Sequence, residues 1–188
     1  MRSSGTADNY LVKNRVISNL DRNYKQHTMI QIFEPVTKGI ASLIEVWENK
    51  LLNLPNEVIT VQRNVQNRTI KQILGHLIDS ASNNTHRIVH LQYRDSPVQF
   101  PNYATNGNND RWITIQNYQE ENWKDLIQYW KSINLHLVHI IENINPGKLG
   151  NEWIASPGDN VSLERMVLSY LEHFRLHLKE IDELINRG

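Results

Sequence analysis

Four long stretches of this 188-residue chain repeat their apolar residues every three or four positions, the spacing of one face of an α-helix. The first, about residues 32–52, carries Val36, Ile40, Leu43, Ile44, Trp47 and Leu51. The second, about 69–93, carries Ile70, Ile73, Leu74, Leu77, Ile78, Ala81, Ile88 and Leu91. The third, about 118–144, carries Trp123, Leu126, Ile127, Trp130, Ile133, Leu137, Ile141 and Ile144. The fourth, about 162–186, carries Leu163, Met166, Val167, Tyr170, Leu171, Phe174, Leu178, Ile181 and Ile185. Four such helices bury their stripes only against one another, so the spacing predicts an all-α, up-down four-helix bundle.

Punctuation supports these limits. Asn53-Leu54-Pro55-Asn56 ends the first stretch and Asn145-Pro146-Gly147 the third, while Ser162 is a suitable N-cap for the fourth. Two connections, about 95–117 and 145–161, are longer than a simple bundle needs, and long loops on a rigid scaffold often carry function. The stretch 57–65 could be extended but has no evident strand partner. Residues 1–28 are polar and rich in Asn, Arg and Ser, and are expected to form a loosely packed N-terminal extension, disordered or a short helix. The bundle is expected over 29–188.

Composition removes several classes of function. Twenty basic residues balance twenty acidic ones, without the basic excess of a nucleic-acid binder. The absence of cysteine excludes disulfides and any thiolate nucleophile or metal ligand from the chain itself. No apolar run approaches the roughly 18–20 residues of a membrane span, and residues 1–20 lack the apolar core of a signal peptide. A cytoplasmic location and a small-molecule partner, with neither membrane nor nucleic acid, are the expectation. No phosphate-binding glycine loop, dinucleotide fingerprint or Ser-His-Asp arrangement stands out.

Histidine is the residue type with chemical potential. There are eight, at 27, 76, 86, 90, 136, 139, 173 and 177. Two pairs, His86/His90 and His173/His177, have the four-residue spacing that lets one helix face offer two imidazoles to one ion. Placing residues at about 100° steps separates them. His177 falls within the apolar face of its helix, His173 on its flank, and His76 on the flank of the second helix's stripe. His86, His90 and His139 fall on outer faces, and His136 is ambiguous. His76, His173 and His177 could therefore converge, although a flank histidine can equally be a hydrogen-bonded boundary residue. Asp79, one turn after His76, could orient a ligand histidine or lie at the surface. Arg87 could bind an anionic group or form a boundary salt bridge.

Three segments resemble a known family. Gly75-His76-Leu77-Ile78-Asp79, with Asn84 and Arg87-Ile88 following, resembles the second helix of the DinB-like (YfiT-related) four-helix bundles. Tyr170-Leu171-Glu172-His173-Phe174-Arg175-Leu176-His177 is similar to their fourth helix, and the stretch 112–144 to a branch of that family. The resemblance covers about 30–186. It implies a divalent metal, often zinc or nickel, on His76, His173 and His177, with one coordination position open. It implies no DNA chemistry, and a homodimer is common among such bundles.

Three neutral imidazoles leave the metal's charge uncompensated, which favours a bound water of lowered pKa or an anionic ligand. The resemblance then suggests transfer of a low-molecular-weight thiol to an electrophile, the thiol coming from a co-substrate. Metal-dependent hydrolysis and a non-catalytic metal-binding stress or interaction protein are the alternatives.

Overall fold

The computed structural model describes residues 31–187. The expected N-terminal extension, 1–28, lies outside the described residues. Helix α1 is described over 31–52. The remaining helices are α2 (Asn56–Thr60), α3 (Ile70–Tyr93), α4 (Asn108–Gln116), α5 (Trp123–Glu142) and α6 (Leu163–Ile185). Three short strands, β1 (Val98–Gln99), β2 (Glu152–Ser156) and β3 (Asp159–Ser162), lie in the connections.

The long helices α1, α3, α5 and α6 form the four-helix bundle that the apolar stripes require. Their caps are local. Thr69 closes a capping box with Gln72 at the start of α3. The Asn122 side chain accepts from the amides of Lys124 and Asp125 at α5, and Ser162 from that of Arg165 at α6. The stripes meet in a continuous core in which Trp130 and Phe174 stack with ring centroids 5.9 Å apart. Asn134, fully buried there, donates to the Trp130 carbonyl and accepts from the Tyr170 hydroxyl, so its amide costs little. No helix among the described residues is long and apolar enough to cross a membrane.

Side-chain bridges give the helix directions. Lys50 near the end of α1 pairs with Asp182 near the end of α6, so these two run the same way. Trp123 at the start of α5 donates to the carbonyl of Leu51 at the end of α1, so α5 runs the other way. Gln92 at the end of α3 accepts from the amide of Asn145, just past the end of α5, so α3 and α5 are parallel. Asn64, just before α3, donates to Glu180 late in α6, so α3 and α6 are antiparallel. Two helices thus point each way, and the alternation expected of an up-down bundle is interrupted at one step, where α5 follows α3 in the same direction.

That arrangement explains the first long connection. Consecutive long helices α3 and α5 point the same way, so the chain between them must travel back along the bundle, a length of about 36 Å for 24 residues. On the way it forms β1, α4 and a 3₁₀ turn, Tyr118–Glu120. The second long connection makes a β2–β3 hairpin, and β1 pairs in parallel with β2, Val98 opposite Trp153. The two loops are tied into one small sheet. This corrects the expectation of plain loops, because each strand is too short to carry a periodic signal. The stretch 57–65 is not extended either: residues 56–60 form α2, with Ile59 buried. The third helix starts at Trp123 rather than 118, because Asn122 caps it and Tyr118 belongs to the separate 3₁₀ turn.

Candidate metal centre

His76 stands in the second turn of α3, and His173 and His177 stand one turn apart on α6. Because α3 and α6 run antiparallel, these positions face each other, and one ring nitrogen from each histidine lies within 4.8 Å of the others. Nε2 of His177 is 3.1 Å from Nε2 of His173. Two nitrogens on one tetrahedral ion at zinc-like bond lengths are about 3.3 Å apart. The spacing fits a shared ion with little adjustment. His76 and His177 are buried and His173 half-buried.

The outward nitrogens of two of the rings are held. Nδ1 of His76 lies 2.7 Å from the hydroxyl of Tyr103, itself buried. With Nδ1–H donating to the phenol oxygen, the Nε2 lone pair of His76 is left for an ion. Nδ1 of His177 lies 3.0 Å from Oε2 of Glu180 one turn later, which sets the same tautomer. Nδ1 of His173 is buried and has no partner among the described residues.

Burial keeps two of the rings, His76 and His173, in the neutral form that binds metal. Burial, then the neighbouring His177 and His173 and the charge of Arg68, push the pKa of His76 down to about 2. Burial and His177 push that of His173 down to about 4, against the pull of Glu180. Both are neutral at pH 7. Burial alone would raise the Glu180 carboxyl, but its hydrogen bond with His177, with help from Asn64 and Arg68, holds it below its ordinary value. It is therefore a charged acceptor for the imidazole N–H.

The other candidates separate cleanly. His86 and His90 pack against each other and against Phe100 on the outer side of α3, away from the three histidines. His136 and His139 are exposed on α5, and His27 lies outside the described residues. Asp79 is buried, not at the surface, and its Oδ1 accepts from the Tyr118 hydroxyl and from Gln116 rather than from a histidine. Arg87 is buried with its guanidinium over the Trp153 ring.

Two participants, Tyr103 and Glu180, are absent from the sequence reading. Glu180 had a usable signal, since His177 and Glu180 are three apart on one helix. Tyr103 had none: it reaches His76 only because the α3–α5 crossover returns past that end of α3. A cavity of about 520 Å³ opens beside the three histidines, within the range of small-molecule sites.

Comparisons with known proteins agree with this architecture. The family model of the DinB superfamily matches residues 44–181. Among solved structures, YfiT from Bacillus subtilis is similar, with a TM-score of 0.64 and 16% identity over 86% of each chain. That protein is described as a probable metal-dependent hydrolase with an unusual four-helix bundle topology. No curated protein sequence matches the chain.

Proposed function

The chain belongs to the DinB superfamily, and on that premise we propose that it is a metal-dependent enzyme holding a divalent ion on His76, His173 and His177. The observation that carries this reading is the convergence of three imidazoles with two of their outer nitrogens fixed by Tyr103 and Glu180. Nitrogen donors of this kind suit zinc or nickel. Such an ion supplies Lewis acidity and lowers the pKa of a water or thiol beside it.

The protein's own part is positional. Tyr103 and Glu180 fix ring orientation and tautomer, burial keeps His76 and His173 neutral, and α3 and α6 hold the three rings beside an open cavity. Transfer of a low-molecular-weight thiol to an electrophilic substrate is the reaction we favour. The thiol is a co-substrate, because the chain has no cysteine. Hydrolysis is the second reading, favoured by the description of YfiT as a probable metal-dependent hydrolase.

Elemental analysis of purified protein is expected to find about one divalent ion per chain, lost in His76→Ala, His173→Ala and His177→Ala. Full retention in all three variants would sink the site. A panel of low-molecular-weight thiols with an electrophilic dye separates the reactions. Turnover that needs metal and thiol supports transfer, and turnover of an ester or amide panel that needs metal alone supports hydrolysis.

A further inference from the structure

The same cavity has a second chemical feature, at the other end of its α3 wall. His76, Ser80, Asn84 and Arg87 all line it. Their spacings of four, four and three residues place them in one row along the helix. Arg87 is only 7% exposed. The centre of its guanidinium lies 4.1 Å from the centroid of the Trp153 ring, so one face of the group is covered. Its Nη2 is buried and has no acceptor among the described residues. Burial pulls the Arg87 pKa down, but from so high a start that the group stays charged at neutral pH.

Among the described residues the cavity offers that charge no counterion: none of those lining it is Asp or Glu. The other two arginines on its wall already have carboxylates outside it: Arg68 pairs with Asp110 at 2.6 Å, and Arg165 faces Asp159 at 3.8 Å. A buried cation without a hydrogen-bonded anion is costly, and a fold that keeps one has a use for it. With Trp153 on one side of the guanidinium and Nη2 lacking an acceptor among the described residues, the group retains donors for the two parallel hydrogen bonds by which a planar carboxylate meets an arginine. Among the described residues no lysine lines the cavity, so the charge that Arg87 offers at its end of it matches one negative charge rather than a phosphate dianion.

We propose that the substrate of this site is a small carboxylic acid whose carboxylate binds Arg87 while its reacting group lies at the three histidines. This rests on the functional reading above and names its substrate class. Eleven residues of helix separate His76 from Arg87, about 16 Å along the axis. The carboxylate is therefore several bonds away from the reacting atom. It serves as a handle, with Trp153 and Arg87 setting specificity.

Calorimetric titration with octanoate and, as a neutral match, octanol tests the assignment, with inorganic phosphate as a third probe. Octanoate is expected to bind the wild-type protein about tenfold or more tightly than octanol. Arg87→Gln is expected to abolish that preference, and Arg87→Lys to keep part of it. Equal binding of acid and alcohol, a preference that survives Arg87→Gln, or preferential binding of phosphate would overturn it. If Arg87→Gln does not fold, a crystal structure of the wild-type protein with octanoate decides. A carboxylate on Arg87 supports the proposal, and one elsewhere, including on the metal, refutes it. Metal content measured on the same samples keeps the two readings apart. Protein that retains metal but shows no acid preference loses this inference alone. Protein that holds no metal but shows an Arg87-dependent preference loses only the metal.

Discussion

Asp79 carries a carboxylate into the bundle with 1% of its surface exposed. Its Oδ1 accepts from the Tyr118 hydroxyl and from Gln116, each at 2.6 Å, while Oδ2 is buried without a partner among the described residues. Burial raises its pKa from 3.8 to about 6, against the two hydrogen bonds. A carboxyl whose pKa is raised in the folded state contributes stability below pH 3.8, and that contribution is lost as pH rises through about 6. The buried histidines run the opposite way: His76 and His173 favour the fold above their ordinary pKa of 6.5 and oppose it as pH falls toward about 2 and about 4. The difference between parent and Asp79→Asn isolates Asp79 from them. Urea denaturation at pH 4 and pH 7 is expected to show the variant gaining about 2 kcal/mol relative to the parent between those values. A difference that does not change with pH would contradict the buried charge.

Helix α3 contains a glycine in its interior, where alanine is ordinarily the better residue by about 1 kcal/mol. At Gly75 a Cβ would come within 2.1–2.6 Å of the Tyr118 ring. The glycine lets the 3₁₀ turn bring that ring close against α3, and its hydroxyl reaches Asp79 one turn on. Gly39 on α1 is a natural control. A Cβ there would meet the end of the Leu171 side chain at 2.7–3.0 Å, and that end can turn aside. Thermal melts are expected to rank Gly75→Ala below Gly39→Ala, with Gly75→Ala costing about 2 kcal/mol or more through overpacking. Equal stability of the two variants would mean that Tyr118 is not held against α3. Elements also differ in how legible they were. The long helices announced themselves through stripes and caps. Helix α2 and strands β1 to β3, each of five residues or fewer, hold too few side chains for a period to emerge.

At the scale of the molecule, the three histidines face one another from two antiparallel helices whose sequence positions are about a hundred residues apart. An ion held there binds the folded chain and not the unfolded one, so it stabilises by mass action. Free ion a thousandfold above its dissociation constant contributes about 4 kcal/mol, which for a chain of this size is a shift of about 10 °C in Tm. Adding a strong chelator is expected to lower the melting temperature of the parent by about that amount and to leave His173→Ala unchanged. A parent melt that ignores the chelator would argue against an ion bridging α3 and α6. The crossover between α3 and α5 also acts at this scale. By returning along the bundle it sets Tyr103 against His76, and through β1 and β2 it brings Trp153 over Arg87.

The amino-acid sequence by itself determined the bundle, most helix ends, and the two-histidine face on α6. All of these depend on residues within a turn or two of each other, and the 3.6-residue period writes such relations directly into the chain. It also narrowed eight histidines to those whose helix face turned inward, without deciding which of them meet. That decision belonged to the tertiary structure. Only the directions of α3 and α6 bring His76 opposite His173 and His177. Only the crossover sets Tyr103, 27 positions on, against His76. Asp79 and Arg87 show the same limit. Each lies at the edge of an apolar stripe, where periodicity cannot tell surface from interior, and each is buried because a distant segment folds over it. A contact between remote segments leaves no period in the sequence, since it depends on how the helices are packed and not on how each is wound.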